Sequence, residues 1–277
     1  MNLRNAVALE CPLQIAGTIN AYTALLAKNA GFKAIYLSGA GVANASFGIP
    51  DIGLTTLNNV LEDTRRITGA VDLPLLVDID TGWDDISHSV KELIKAGAAG
   101  VHIEDQVFDK RCGQLANKEI VSTNEMVNRI KKAIDAKTNS DFVVMARTDA
   151  LQKEGLDATL ERISRYVEAG ADMIFFEGVQ ELNQYQALTK ICAVPVLANI
   201  TEFGLTPLFT VEELKQVGIQ LVLYPLSAFR AMSKAALMTY ETIKTTGTQK
   251  SLLDTMQTRK ELYSILNYHP ENQGKTK

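Results

Sequence analysis

Two aspartates, Asp78 and Asp80, stand two residues apart where the apolar run 74–78 ends. In extended backbone their side chains point the same way. Carboxylates held side by side repel unless a cation lies between them, and hard oxygen ligands suit Mg²⁺. Glu104, at the end of the next apolar run, is placed to complete such a site directly or through water. The plainer alternative is that one aspartate caps a loop and the other faces solvent. Arg147 and Arg230 are candidates for gripping substrate carboxylates, because a guanidinium is a planar two-pronged donor. An ion pair with Glu177 is the alternative for Arg147. Arg230 falls in the first turns of an expected helix, where the helix dipole disfavours a cation; a bound anion or a surface ion pair would each account for it. Cys112 follows Lys110-Arg111 directly. Neighbouring cations can lower a thiol's pKa from its usual value of about 8.5 and ready it for proton transfer. The alternative is an inert cysteine, as expected of Cys11 and Cys192. His102, in mid-strand, reads as a hydrogen-bonded core residue. With three histidines in the chain, a His-rich zinc site is not expected. No Gly-x-Gly-x-x-Gly or Walker-type loop is present, so nucleotide cofactors are not indicated.

These polar residues share a position: each closes a short apolar run. Ser38 ends one run, Asp78 and Asp80 another, and Glu104 and Asp105 a third; Arg147, Asp149, Glu177, Asn199 and Thr201 end others. The runs fall at 12–17, 33–37, 74–78, 100–103, 142–146, 172–176, 195–198 and 219–223, and read as strands buried on both faces. Between them lie amphipathic helices. Ile86, Val90, Leu93 and Ile94 share one face, as do Leu156, Leu160, Ile163 and Val167. Four times a helix stops at Ala-Gly or Val-Gly, at Gly31, Gly97, Gly170 and Gly218, just before a strand. Glycine suits the left-handed position that closes a helix. Ser122 followed by Glu125 predicts a capping box. Alternation of strand and helix at this length favours a closed parallel (β/α)8 barrel of the TIM type over an open doubly wound sheet. One barrel domain over 1–277 is expected, with 228–244 as its last helix and 245–277 as a C-terminal helical extension and tail, helical over 251–268. Such barrels keep their chemistry at the C-terminal ends of the strands. Any one of the polar residues there could be a helix cap; the set together points to function.

Composition excludes other classes. A net charge of −4 gives no electrostatic case for nucleic acid or an anionic membrane as partner. No apolar run reaches the roughly 18 residues of a membrane span, and the N-terminus lacks the apolar core of a signal peptide. Cys11, Cys112 and Cys192 are too few and scattered for a disulfide framework. A reducing cytoplasm is the simplest fit.

The motifs resemble a known family. Tyr36-Leu37-Ser38-Gly39-Ala40-Gly41, Pro50-Asp51, Val77-Asp78-Ile79-Asp80, His102-Ile103-Glu104-Asp105-Gln106 and Lys110-Arg111-Cys112-Gly113 resemble the isocitrate lyase/phosphoenolpyruvate mutase superfamily. Ala146-Arg147-Thr148-Asp149-Ala150, Ala198-Asn199-Ile200-Thr201-Glu202-Phe203-Gly204 and Tyr224-Pro225-Leu226-Ser227-Ala228-Phe229-Arg230 narrow the likeness to its lyases of a small tricarboxylate. The tail from Asp254 to Tyr263 does the same, and the likeness runs from Pro12 to Tyr268. It implies a Mg²⁺-dependent carbon–carbon lyase. Ser38, Gly39 and Ala40 would hold a substrate carboxylate. Asp78 and Asp80 would hold Mg²⁺, Asp80 the more directly, with Asp51 and Glu104 nearby through water. Cys112 would be the catalytic acid, with Gly113 beside it at the substrate. Arg147, Glu177, Asn199, Ile200, Thr201, Arg230 and Arg259 would line the substrate site. The base for the substrate hydroxyl is expected at Tyr36 or at a carboxylate near the metal. The resemblance also implies a homotetramer in which the eighth helix packs on a neighbouring subunit's barrel.

The chain departs from the family pattern in three places. Gln114 stands where the family's loop carries histidine after Cys-Gly; glutamine donates hydrogen bonds but carries no proton or positive charge at neutral pH. Ser38-Gly39-Ala40 replaces Ser-Gly-Gly, and the stretch from Thr81 to Ile86 is a few residues shorter than in relatives.

Overall fold

The computed structural model describes residues 1–107 and 118–269. Eight strands, β1 (Leu13–Gly17), β2 (Ala34–Leu37), β3 (Leu75–Asp78), β4 (Gly100–Glu104), β5 (Val143–Thr148), β6 (Met173–Phe176), β7 (Val196–Asn199) and β8 (Leu221–Tyr224), pair in chain order and close into a barrel. Every pairing is parallel, and β8 closes on β1 with Leu13 opposite Leu221. The expected TIM-type barrel is therefore the observed one, and the open sheet is excluded.

The uninterrupted apolar runs have a simple cause: alternate side chains enter two different cores. Tyr36, Leu76, Val143, Met145, Met173, Phe175, Leu197 and Leu223 fill the barrel interior. Their neighbours Ile35, Leu37, Val77, Val101, Ile103, Val144, Ile174, Phe176 and Ala198 pack outward against the helices. Most strands are thus apolar on both faces until their C-terminal ends, where inward positions turn polar; Gln14 on β1 and His102 on β4 are polar exceptions within the runs. The far end of the barrel is covered by the helix Leu3–Leu9, whose Leu3 and Ala6 join the interior core. Its N-cap Asn2 accepts a bond from the Asn5 amide. Sequence patterning over so few residues does not reveal this helix.

The four helix-stop glycines adopt left-handed backbone as expected, with φ of 98° at Gly31, 88° at Gly97, 102° at Gly170 and 83° at Gly218. At Ser122 half of the expected box forms. The serine accepts the Glu125 amide at 3.2 Å, while the Glu125 carboxylate turns to Arg129 one turn on. The C-terminal region is more broken than expected: a 3-10 stretch Lys250–Thr255 precedes the short helix Arg259–Ile265, which Thr258 and Glu261 cap reciprocally. The last barrel helix, Ser227–Thr246, differs from the others in having no buried residue. Met232, Leu237, Met238, Tyr240 and Ile243 are all exposed along it.

Candidate active site

Extending each strand's alternation past its end places the site. Ser38 continues the inward series of Ala34 and Tyr36, and Asp78 that of Leu76. Arg147 continues Val143 and Met145, Glu177 continues Met173 and Phe175, and Asn199 and Thr201 continue Leu197. On β4, Val101 and Ile103 face outward, so His102 and Glu104 face in. The same rule sends Ile200 outward: its side chain joins the core between barrel and helices, and its N–H donates to the Leu223 carbonyl at 2.8 Å.

Asp78, Asp80 and Glu104 meet at the mouth, each offering a carboxylate oxygen within 4.8 Å of the others, all of them buried. Asp78 is oriented by the Gly39 amide at 3.0 Å and the Asp80 amide at 3.1 Å. A side chain at position 39 would have its Cβ 3.2 Å from the Asp78 carboxylate, closer than most real contacts, so glycine lets the backbone approach. Asp80 sits at φ 49°, a left-handed conformation that aspartate tolerates better than most residues.

Arg147 faces this cluster. Its Nη1 lies 3.2 Å from Glu104 and its Nη2 3.7 Å from Glu177. Its Nε and Nη2 form a two-pronged pair with Asp149, at 3.0 and 3.1 Å. Burial alone would lower the pKa of Arg147, but Asp149, Glu104 and Glu177 outweigh it and the net shift is upward. The guanidinium is a permanent cation. Burial would likewise raise Asp149, yet Arg147 and Lys118 overcome it and hold the carboxyl below its usual range. Asn199 donates to Glu177 at 3.0 Å, fixing that carboxylate from the other side.

The Tyr36 hydroxyl lies 2.9 Å from His102 Nε2 and donates to Asp78 at 3.3 Å. Burial first, and then the negative charge of Asp78, push its pKa well above 10.0. Its hydroxyl is thus held between His102 and the cluster aspartate Asp78.

A cavity of about 240 Å³ opens over these groups, lined by Tyr36, Ser38, Ala40, Asp51, Asp78, Arg147, Glu177, Asn199, Thr201 and Arg230 among others. Asp51 reaches the cavity without joining the three-carboxylate cluster. Arg230 lies over the Phe203 ring, 5.5 Å from its centroid, and 3.7 Å from Glu202. Arg259 stands apart, exposed in the first turn of its helix and not among the lining residues. Cys112, Gly113 and Gln114 lie outside the described residues. A larger cleft of about 630 Å³ beside Lys118, Asp149 and Gly178 contains none of the clustered carboxylates. The chemistry is accordingly assigned to the smaller cavity.

Three neighbours were not legible as site residues. Phe175 forms the floor beneath Arg147, with the guanidinium 5.2 Å from its ring centroid; its inward phase with Glu177 was the available signal. His102 carries a polar contact to Asp78, 3.4 Å away, as well as the one to Tyr36. Lys118 reaches Asp149 at 2.7 Å from 31 residues earlier in the chain, with no local pattern to announce it.

A parallel barrel whose mouth gathers three buried carboxylates against an arginine has the ligand set of a site that could hold a metal ion. The family described as phosphoenolpyruvate phosphomutase matches residues 4–244. The chain belongs to that family, within the isocitrate lyase/phosphoenolpyruvate mutase superfamily, and is a lyase. It is 58% identical over 270 residues to the 2-methylisocitrate lyase of Escherichia coli (strain K12), covering 96% of this chain and 91% of that relative. Among solved structures it is similar to 2,3-dimethylmalate lyase, with a TM-score of 0.88, 32% identity, and coverage of 95% of this chain and 90% of that one. It is also similar to oxaloacetate acetylhydrolase in complex with 3,3-difluorooxalacetate, at TM-score 0.90, 31% identity, and 96% and 92% coverage.

Proposed function

We propose that the protein cleaves 2-methylisocitrate to pyruvate and succinate with Mg²⁺, in the methylcitrate cycle of propionate catabolism. The observation that carries this reading is the buried cluster of Asp78, Asp80 and Glu104 set against Arg147. The 58% identity to a 2-methylisocitrate lyase supports that choice of substrate. The donor set fits the metal: three buried carboxylates crowd together and repel one another, and all-oxygen ligation suits Mg²⁺. Asp78 and Asp80 would hold it directly, with Glu104 and Asp51 through water. Bound there, Mg²⁺ would supply Lewis-acid stabilisation of the negative charge that develops on oxygen as the carbon–carbon bond breaks.

The remaining work falls to the chain. Ser38, Gly39 and Ala40 bind one substrate carboxylate. Arg147 and Arg230 offset others, with Glu177, Asn199 and Thr201 holding the opposite wall. The substrate hydroxyl loses its proton, the carbon–carbon bond breaks to release pyruvate, and the electron pair remains on the succinate fragment. Cys112 delivers a proton to that carbon as general acid, with Gly113 beside it. Tyr36, which donates to Asp78 at 3.3 Å, or a carboxylate near the metal takes the hydroxyl proton. Ile200 and Arg259 are not among the residues lining the cavity, and Arg259 reaches the site only if the tail is carried over it.

Assembly follows from the exposed apolar side chains of the helix Ser227–Thr246. We assign them to a second copy of the chain, in a homotetramer with swapped eighth helices. A reducing cytoplasm suits the scattered thiols.

Pyruvate and succinate formation from 2-methylisocitrate, with Mg²⁺ and then with a chelator, tests the reading. Equimolar products that vanish with chelator are expected, as is severe loss of turnover in Cys112→Ser with fold and metal binding intact. Turnover instead of 2,3-dimethylmalate or oxaloacetate, with none of 2-methylisocitrate, would overturn the substrate assignment.

A further inference from the structure

Arg147 presents anion-binding N–H groups to the cavity, yet three carboxylates already surround it. Asp149 occupies its Nε–Nη2 edge at 3.0 and 3.1 Å, Glu104 stands 3.2 Å from Nη1, and Glu177 lies 3.7 Å from Nη2. Each of these contacts draws on the charge that Arg147 can offer to an anionic substrate. Asp149, the closest of the three, has a second cation beside it. Lys118 donates to Asp149 Oδ1 at 2.7 Å, and both side chains are almost wholly buried, at 2% and 0% exposed. Asp149 is anchored from behind as well, its amide donating to Asp105 at 2.9 Å. Lys118 is absent from the lining of the catalytic cavity. Asp149 links it to Arg147.

We propose that Lys118 is a positioning residue for substrate binding: it shares the charge of Asp149, so that Asp149 orients Arg147 without neutralising it. This rests on the proposed cleavage of a tricarboxylate at the cavity. Without Lys118, Asp149 satisfies its charge on Arg147 alone, and the guanidinium offers a weaker field to the substrate carboxylate. Orientation and charge are separable here, because a neutral donor at position 118 keeps the first and loses the second.

The test compares Lys118→Met, Lys118→Gln and Lys118→Arg with the wild-type chain. KM and kcat are measured on 2-methylisocitrate, succinate affinity is measured by calorimetry with Mg²⁺ present, and Tm is recorded for each variant. At metal sites, removing the groups that orient ligating side chains typically costs about 10- to 100-fold, and the same order is expected for a group that orients Arg147. Lys118→Met should therefore raise KM and weaken succinate binding at least about tenfold, with kcat affected less. Lys118→Arg should return both to near the wild-type value, and Lys118→Gln should resemble Met in KM even where its Tm is preserved. In an Asp149→Asn background, Lys118→Met should change neither quantity by more than about twofold, since the lysine acts through that carboxylate. Unchanged KM and succinate affinity in Lys118→Met or Lys118→Gln would overturn the proposal. So would equal impairment of the Met and Arg variants in step with lost Tm, which marks a merely structural lysine. Wild-type protein that binds succinate without cleaving 2-methylisocitrate refutes the activity reading instead, and the succinate affinities then decide the role of Lys118.

Discussion

Replacing Asp80 by asparagine should stabilise the metal-free protein and abolish its response to Mg²⁺. The ligand oxygens of Asp78, Asp80 and Glu104 lie within 4.8 Å of one another in a buried setting. Two like charges at that separation repel by about 3.5 kcal/mol at an effective dielectric of about 20. Arg147 offsets part of the charge on Glu104, and backbone amides favour that on Asp78. The net relief from neutralising Asp80 is therefore smaller, about 1–2 kcal/mol, allowing for the polar contacts an amide loses. Backbone strain does not enter, since asparagine tolerates the left-handed φ of 49° as well as aspartate does. In a chain of this size the relief corresponds to a rise in Tm of about 2–8 °C in chelator. At Mg²⁺ one hundred times its Kd, the wild-type chain should gain about 2.7 kcal/mol by mass action and the variant almost none. Thermal melts followed by circular dichroism, in chelator and across a Mg²⁺ titration, read both effects. A variant that melts below the wild type in chelator would show that the contacts of Asp80 outweigh the repulsion. Equal gains from Mg²⁺ in the two proteins would place the cation elsewhere.

Other perturbations follow from the same geometry. Arg147→Lys keeps the charge but loses the two-pronged pairing with Asp149, so kcat/KM for 2-methylisocitrate should fall by at least about 100-fold; a loss under fivefold would remove Arg147 from the substrate site. Asp149 titrates below its usual pKa of 3.8 in the folded chain, so its stabilisation is complete above the unfolded value and disappears as pH falls through the folded one. The stability difference between wild type and Asp149→Asn, about 3–5 kcal/mol near neutrality, should accordingly shrink below about pH 4 in urea titrations; a constant difference down to pH 2 would contradict the ion pairs. Asp105 accepts bonds from Thr148, Tyr166 and the Asp149 amide, at 2.6, 2.8 and 2.9 Å. Asp105→Asn must turn an N–H₂ toward one of these donors, and a loss of about 2–4 kcal/mol is expected in denaturant unfolding, with no loss speaking against the network.

Much of the barrel and its polar mouth was legible because the relevant physics is local. Period-two alternation sets which way a strand-end residue points, so Asp78, Arg147, Glu177 and Asn199 could be read from the runs they terminate. The same rule, applied strictly, separates Ile200 from its neighbours. Asp51 and Arg230 come to the cavity from loop and helix positions whose reach depends on how those segments fold back. The family motifs placed them there; strand period did not.

Which charge meets which was decided only by closure of the barrel. Glu177 was the alternative partner for Arg147 beside a substrate carboxylate, and in the fold Asp149 and Glu104 stand closer to it than Glu177 does. The reason is the parallel pairing that sets Glu104 beside Arg147, together with a chain turn that brings Asp149 back onto the same guanidinium. Lys118 comes to Asp149 across 31 residues, and Tyr36 to His102 across 66. Sequence alone determined the strand phases, the helix stops and the gathering of carboxylates and arginines at one end. The tertiary structure decided the pairing among them, because distances of about 3 Å between charges depend on strand register and barrel closure, which no single segment encodes.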